Sequence, residues 1–357
     1  MTLIIAEAGV NHNGNEELAF QLIDEAFKAG ADIVKFQTFK AKDLVTSKAQ
    51  KAAYQVIGSS ANESQLEMLS RLELSHETHH KLIAHCKQLG IEFMSTAFDS
   101  KSLDFLINDL GLTRLKIPSG EITNAPLVLE YARSKCDLIV STGMATISEI
   151  WAALGVIAFG YTADLNAKPS VAAFSKALSS EAGLSVLKQK VSLLHCTTEY
   201  PAPLKEVNLR AMEHMATEFG LPIGYSDHTE GVTIAIAAVA RGALIIEKHF
   251  TLDRAMEGPD HKSSLEPDEL AIMVKSIRDT QCALGRYHKQ PQPSELNNIT
   301  AARKSLVAVK EILKGENFTS DNMSVMRPGN GVSPINYWAL LNSVSANSYK
   351  VGDLIFE

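Results

Sequence analysis

The segment LPIGYSDHTEGVTIAIAAVARGALIIEKH, residues 221–249, contains two short apolar runs joined by a stretch that can form one helix. Each run ends in a histidine, His228 and His249, and these lie twenty-one residues apart. A strand–helix–strand unit of this kind brings the ends of two parallel strands side by side. The two imidazoles can then hold one divalent metal, although a lone histidine after an apolar run is more often a core or loop residue.

The same alternation of apolar runs and helical stretches extends over most of the chain. Eight runs read as strands, and they span residues 3–10, 32–39, 92–98, 114–121, 137–143, 191–197, 222–228 and 243–250. Each is followed by a helical stretch and none reads as an edge strand, which favours an α/β fold of the (β/α)8 TIM-barrel type over an open doubly wound sheet. Residues 160–190 read as an insertion, either a helix on the barrel rim or a loop.

The composition changes after the last of these helices. RYHKQPQPSEL, residues 286–296, is rich in proline and polar residues and predicts a linker between a barrel at 1–285 and a small β-rich domain at 297–357. A net charge of −7 argues against a general nucleic-acid binder. Four cysteines without a CxxC argue against a disulfide framework and favour the cytoplasm. No apolar run is long enough to span a membrane, and Glu7 interrupts the only N-terminal candidate for a signal peptide.

Polar residues lie where the predicted strands end, which is the active end of a TIM barrel. Lys35 and Lys116 sit amid apolar neighbours, so they either extend their charge to the surface or, together with nearby hydroxyls, bind an anion. The polar residues at these positions are Glu7, Lys35, Gln37, Thr96, Lys116, Ser119, Glu121, Ser141, His195, His228 and His249.

Other roles stay open from the residues alone. Glu7 and Glu121 are candidates for handling a proton, or else are salt-bridge partners of the two lysines. His195 is either a third metal ligand, a substrate hydrogen-bonding group or an interior histidine. Cys196 follows it directly and is expected to face away from the lumen. GVNHNG at 9–14 indicates a strand-to-helix turn, because its glycine spacing does not fit a dinucleotide fingerprint.

Many motifs in order resemble those of one known family. AEAGVNHNG, VKFQTFKA, KIPSGE, STGMA, HCTTEYPAP, GYSDHT, EKHFTLD with GPDH, and MRPGNG together resemble the sialic acid synthase family, from about residue 3 to the C-terminus. The resemblance implies a (β/α)8 barrel followed by a small antifreeze-like (SAF) domain. It also implies an enzyme that condenses phosphoenolpyruvate with an N-acylated hexosamine to give a nine-carbon sugar acid.

The resemblance assigns roles by motif. It implies divalent-metal ligands at His228 and His249, with manganese expected and magnesium or cobalt as alternatives. Positions that hold phosphoenolpyruvate correspond to Lys35, Thr96, Lys116, Ser119, Ser141 and Ser226. Positions around the metal and the amino sugar correspond to Glu7, Gln37, Glu121, Tyr200 and Asp260.

The same resemblance implies a domain-exchanged homodimer in which Arg327 of the partner subunit completes each site. The chain departs from the family in one turn, where Leu341-Asn342-Ser343 replaces a common Leu-Gly-Lys. Asparagine tolerates a positive φ better than most residues, so the turn is expected to survive.

Three alternatives remain. Within the family, the sequence interpretation places N-acetylmannosamine first as the acceptor, which gives N-acetylneuraminate. A 2,4-diacetamido-2,4,6-trideoxymannose acceptor gives legionaminate instead. Outside the family, a metal-dependent barrel hydrolase usually needs more ligands, such as an early HxH pair, than this chain offers. A carbohydrate-binding protein without activity is the third, although the chain keeps every expected catalytic residue.

Overall fold

The chain folds into two compact units, Met1–Gly285 and Arg286–Glu357. The computed structural model describes residues 1–46, 48–51 and 63–357. The first unit contains the predicted barrel and the second contains a small β-structure.

In the described part of the first unit, eight parallel strands form one sheet in the order β3-β2-β1-β8-β7-β6-β5-β4. β3 and β4 lie side by side and close the ring, which confirms the predicted TIM barrel. The strands are β1 (Leu3–Gly9), β2 (Ile33–Thr38), β3 (Glu92–Ala97), β4 (Arg114–Ile117), β5 (Asp137–Ser141), β6 (Val191–His195), β7 (Ile223–Asp227) and β8 (Ile245–His249).

Helices follow the strands and cover the outside of the sheet. None of those in the described ranges has both the length and the apolar composition needed to cross a bilayer. They are α1 (Glu16–Ala29), α2 (Ala41–Leu44), α3 (Gln65–Arg71), α4 (His76–Leu89), α5 (Ser100–Asp104), α6 (Ala125–Arg133), α7 (Ile147–Thr162), α8 (Val171–Leu178), α9 (Glu181–Lys190), α10 (Ala211–Phe219), α11 (Thr233–Ala240) and α12 (Pro267–Leu284). Of these, α8 and α9 lie in the insertion predicted at 160–190.

Local sequence sets where these helices begin and end. Asn15 caps α1 by accepting from the backbone N–H of Glu17 and Leu18, and Gly30 ends it in the left-handed conformation. Thr146 and Glu149 form a reciprocal capping box at the start of α7. These caps fix the loops at both ends of the barrel.

Side chains alternate along each strand between the lumen and the surrounding helices. The lumen begins with a packed apolar layer formed by Ile5, Ile33, Met94, Ile139, Leu194 and Ile245. Two residues further along, four of these strands turn Glu7, Lys35, Thr96 and Ser141 inward, and β8 turns Glu247 inward. An apolar layer therefore lies beneath a polar layer at the C-terminal ends of the strands.

The second unit is built around a short antiparallel pair. Helix α13 (Pro293–Ala302) begins inside the segment predicted as a linker, and α14 (Tyr337–Leu340) follows the pair. β9 (Ser305–Ala308) pairs with β10 (Met323–Met326), and Leu306, Phe318 and Ile355 are buried in their own core. Asn342 has a φ of 68°, so the turn that departs from the family pattern keeps the left-handed conformation expected of it.

Candidate active site

A cavity of about 420 Å³ opens at the C-terminal ends of the barrel strands. Of the predicted site residues, all except His195 and Arg327 line it. These are Glu7, Lys35, Gln37, Thr96, Lys116, Ser119, Glu121, Ser141, Tyr200, Ser226, His228, His249 and Asp260. The strand-end positions, apart from His195, and the positions taken from the family resemblance therefore meet in one cavity, while the role of each residue remains a prediction.

Buried ion pairs form the floor of this cavity. The Lys35 ammonium lies 2.7 Å from Glu7 and 3.3 Å from Glu247. The Lys116 ammonium lies 2.8 Å from the other oxygen of Glu247. Strand register sets this arrangement, since Glu7 is aligned with Lys35 on one side and with His249 on the other. Two buried lysines are thus paired with two buried carboxyls beside the cavity.

The carboxyls of Glu7 and Glu247 have different pKa values although both are buried. Burial raises the pKa of Glu7 to about 7, against the attraction of the Lys35 ammonium. Burial opposes the charge of Glu247 as well, but Lys116 and Lys35 outweigh it and hold the pKa of that carboxyl well below its usual range. Glu7 can therefore gain or lose a proton near neutral pH, whereas Glu247 stays anionic.

The sequence interpretation missed Glu247. It bridges both lysines and accepts from the Ser226 hydroxyl at 2.8 Å. A signal was present, because Glu247 precedes His249 by two residues and a strand turns both to the same face. A histidine predicted to face the lumen thus already implied a carboxylate beside it.

The hydroxyls around the floor differ in how fully they are bonded. Thr96 accepts from Lys35 at 3.2 Å, and Ser119 accepts from the backbone N–H of Gly143 at 3.0 Å. The buried Ser141 hydroxyl has no hydrogen-bond partner among the described residues. An unpartnered hydroxyl beside two ammoniums fits a site that receives anionic oxygens.

The histidine pair lines the same cavity as these charged residues. His228 Nδ1 lies 2.6 Å from the Thr197 carbonyl oxygen, which places the proton on Nδ1 and leaves Nε2 as the acceptor. Nε2 lies 3.2 Å from the Tyr200 hydroxyl. His249 Nδ1 is buried without a hydrogen-bond partner in the described ranges and lies 3.9 Å from Asp260.

Both imidazoles are neutral and close enough to share a ligand. Burial lowers the pKa of His228 to about 4 and holds that of His249 well below its usual range. Their ring centroids are 5.9 Å apart. Neutral imidazoles with available lone pairs fit a divalent metal. No group of three His, Cys, Asp or Glu side chains in the described residues has a metal-binding arrangement, so further ligands would come from substrate or water.

The GVNHNG turn fixes the loop that carries Asp260. The Asn11 amide donates to Ser264 Oγ at 2.9 Å, and that hydroxyl donates to the Asp260 carbonyl at 2.7 Å. The Asn13 amide donates to the Glu257 carbonyl at 2.9 Å. Burial raises the pKa of Asp260 to about 6. The turn therefore holds a buried carboxyl over the histidine pair, a role that the sequence did not reveal.

The expected orientation of β6 is wrong. His195 faces the helices, lies 2.8 Å from the Val207 carbonyl oxygen, and contacts the outward ring of Tyr225. Cys196, expected to face outward, instead lies 3.2 Å from the Ser119 hydroxyl. Leu194 belongs to the inner apolar layer, so alternation sends His195 outward. His195 does not line the cavity and is no third metal ligand.

Glu121 and Arg327 lie in different surroundings. Glu121 is half-buried at the cavity rim and accepts from the Asn124 amide at 2.7 Å. Arg327 belongs to the second unit, where it is exposed and donates to the Ala302 carbonyl at 3.2 Å.

Charged and titratable side chains converge in a cavity at the C-terminal strand ends of this TIM barrel. Active sites of TIM-barrel enzymes lie at this position, so the fold and the site together define the protein as an enzyme. The chain belongs to the NeuB family, the family of sialic acid synthases, whose profile matches residues 22–289. The resemblance drawn from the motifs is thereby confirmed.

Similar proteins align with most or all of the chain. An N,N'-diacetyllegionaminic acid synthase of Campylobacter jejuni is 49% identical and aligns with 100% of this chain and 99% of its own length. One of Legionella pneumophila is 45% identical over 93% of this chain and 86% of its own. The crystal structure of an N-acetylneuraminic acid synthetase from Leptospira borgpetersenii matches with a TM-score of 0.66 and 33% identity, over 84% of this chain and 90% of its own.

Proposed function

We propose that this enzyme condenses phosphoenolpyruvate with an N-acylated amino-hexose to give a nine-carbon 2-keto sugar acid and phosphate. The observation that carries the proposal is the floor of the cavity, where two buried lysines and an unpartnered serine hydroxyl lie beside two neutral histidines. A phosphate needs such a set of donors, and an aldehyde beside it needs an activating group.

Phosphoenolpyruvate occupies the floor. Lys35 and Lys116 hold its phosphate, and the hydroxyls of Thr96, Ser119, Ser141 and Ser226 supply further donors. In this poorly hydrated site each ammonium acts more strongly than it would in water. Glu247 keeps both lysines oriented before the substrate arrives.

His228 and His249 hold a divalent cation, for which manganese is the first choice and magnesium or cobalt are alternatives. A cation held there would supply Lewis acidity toward the aldehyde oxygen of the open-chain acceptor. Tyr200, Gln37 and Asp260 line the space where the acceptor must lie, and they position its hydroxyl and amide groups.

The reaction joins C3 of phosphoenolpyruvate to C1 of the aldehyde, and the aldehyde oxygen takes up a proton to become a hydroxyl. Water adds at C2, the bond from C2 to the phosphate oxygen then breaks, and the C2 hydroxyl passes its proton to the departing phosphate as the ketone forms. Glu7, whose pKa is raised to about 7, accepts the proton of the water, because a general base works best when its pKa lies near the working pH. Glu121 at the rim is the alternative base.

The acceptor is 2,4-diacetamido-2,4,6-trideoxymannose, and the product is N,N'-diacetyllegionaminate. The names of the Campylobacter and Legionella relatives support this choice. They favour it over N-acetylmannosamine, the acceptor that the sequence interpretation placed first.

The active assembly in this proposal is a cytoplasmic, domain-exchanged homodimer. The second unit is an SAF-type domain, and Arg327 of the partner subunit reaches the acceptor. Support comes from the family and from the exposure of Arg327 in its own unit. A heterodimer of Arg327→Ala chains with His249→Gln chains tests it, because only exchange between subunits restores one complete site.

The test of the function is phosphate release from phosphoenolpyruvate that carries ¹⁸O at the C2–O–P bridge. We expect release to require both the acceptor and a divalent metal, and the label to leave with phosphate. His249→Gln should lower manganese affinity in calorimetry, a result independent of turnover. Release without an acceptor would indicate a hydrolase, and label retained in the sugar acid would contradict cleavage at C2–O.

A further inference from the structure

The cavity above the charged floor has two unlike sides. One side carries polar groups from the ends of β4 to β8, among them Ser119, Tyr200 and Asp260. The opposite side is mostly hydrocarbon, although Gln37 and Gln65 also line it. This apolar wall consists of Val10, Phe39, Met68, Leu69, Leu72 and Phe98.

Three neighbouring strands and one helix build the apolar wall. Val10, Phe39 and Phe98 follow the ends of β1, β2 and β3, and the other members belong to or directly follow α3. Val10, Phe39, Met68 and Leu72 form a separate buried cluster, against which Leu69 and Phe98 pack half-buried. By strand order, β1 to β3 lie across the barrel mouth from β5 to β7, so the wall faces the polar side.

The position of the apolar wall limits what it can contact. Phosphoenolpyruvate takes the floor and the aldehyde carbon lies at the histidine pair, which leaves the far end of the acceptor to extend outward along the cavity. We propose that the apolar wall binds this far end and selects an acceptor with methyl groups there, a 4-acylamino-6-deoxy hexose, over one with hydroxyls. The inference rests on the proposed condensation and adds the group that determines acceptor choice.

The physical basis is a difference in desolvation. A hydroxyl pressed against hydrocarbon loses its water without gaining a partner, which weakens binding roughly 5- to 100-fold. A methyl group in the same place strengthens binding by about fourfold. N-acetylmannosamine has a hydroxyl at both C4 and C6, whereas the diacetamido-trideoxy acceptor has an acetamido methyl and a C6 methyl.

Helix α3 offers a matched pair of variants. Leu69 lines the cavity, whereas Leu66, half-buried on the same helix, lines a separate depression. Leu69→Gln places an amide in the wall at similar volume, and Leu66→Gln makes the same change outside it. Leu69→Met keeps the wall apolar and serves as the conservative variant.

The experiment measures kcat/KM of each variant with three acceptors: the diacetamido-trideoxymannose, N-acetylmannosamine, and 6-deoxy-N-acetylmannosamine. The native chain should prefer 6-deoxy-N-acetylmannosamine to N-acetylmannosamine. Leu69→Gln should reduce the preference for the diacetamido acceptor about tenfold, with the KM for phosphoenolpyruvate unchanged. Leu66→Gln and Leu69→Met should keep the native preference.

The outcomes separate this inference from the proposed function. If no acceptor supports phosphate release, the proposed condensation fails. If the native chain uses the diacetamido acceptor but Leu69→Gln slows all acceptors equally, the condensation stands and the role of the apolar wall is overturned. Equal use of N-acetylmannosamine and its 6-deoxy form would also overturn it.

Discussion

The two faces of β8 carry neighbouring buried ion pairs of opposite character. Lys248 faces the helices and lies 3.0 Å from Asp227, with both side chains wholly buried. Thr229 completes this pair, since its N–H and hydroxyl donate to Asp227 and its carbonyl accepts from Lys248. Every polar group there has a partner inside the protein.

On the inner face, one residue earlier, Glu247 bridges Lys35 and Lys116. There the charges adjoin a cavity, and Ser141 Oγ and His249 Nδ1 have no hydrogen-bond partner in the described ranges. The difference shows that a buried ion pair does not by itself indicate a site. Unpartnered polar atoms around a cavity distinguish the inner network and make it a candidate ligand site.

The largest expected effect on stability comes from the outer pair, Lys248 and Asp227. Lys248→Met leaves Asp227 as a buried anion without its cation, and should reduce the free energy of unfolding by about 3–5 kcal/mol. Turnover per folded molecule should stay within about twofold. Chemical denaturation and active-fraction kinetics measure the two quantities. The exposed Lys275, paired with Asp279, provides the control variant Lys275→Met, which should leave stability unchanged. Native stability in Lys248→Met would refute a structural role for the outer pair.

The matching change on the inner face should affect activity instead. Lys116→Met removes one of the two cations that we propose bind the phosphate, so kcat/KM for phosphoenolpyruvate should fall about 10²–10³-fold. Glu247 keeps Lys35 as a partner at 3.3 Å, so the stability loss should be smaller than in Lys248→Met. Steady-state kinetics and denaturation of both variants test this crossover. A fall of less than about tenfold would remove Lys116 from the phosphate site.

The barrel and most of the cavity were predictable because they follow from local patterns. Apolar residues such as Ile5 and Ile139 precede Glu7 and Ser141 by two positions, so alternation places each pair on one face. Parallel strands then bring those faces together at one end. Strand order and side-chain alternation are enough to place residues such as Glu7 and Ser141 in the cavity.

The errors arise where the local sequence does not show which side chains of a strand face the lumen. Leu193 and Leu194 are both buried, so the run VSLLHC does not show which one faces the lumen, and His195 was assigned to the wrong side. The inward orientation of Glu247 followed from His249, but its pairing with Lys116 did not, because Lys116 lies 131 residues away and meets it only when the barrel closes. Pairings between distant strands are fixed by closure and are not written in any single segment.

The outer face should also set how stability depends on pH. His79 on α4 bonds Thr38 and the Ser75 carbonyl, both at 2.8 Å, and burial lowers its pKa from 6.5 to about 4. The unfolded chain therefore binds this proton first. Its contribution is complete above pH 6.5 and is lost as pH falls toward 4, by about 2 kcal/mol between pH 7 and pH 5.

Denaturation of His79→Gln across this range should give a flatter pH profile than the native chain. The exposed His80, the next residue on the same helix, supplies the control His80→Gln, which should keep the native profile. The flattening should be partial, because burial also lowers the pKa of His12 and His261. An unchanged slope in His79→Gln would contradict its buried neutral state.

The smallest effect separates two adjacent residues at the end of β5. Ser141→Ala removes the unpartnered inner hydroxyl, and should raise the KM for phosphoenolpyruvate about fivefold without loss of stability. Thr142 bonds the Leu194 carbonyl at 2.9 Å and does not line the cavity, so Thr142→Val should reduce the free energy of unfolding by about 1 kcal/mol and leave KM unchanged. If Ser141→Ala instead lowered stability at constant KM, its hydroxyl would serve the fold as Thr142 does. The ligand-binding part of the inner face would then include the lysines but not Ser141 at the end of β5.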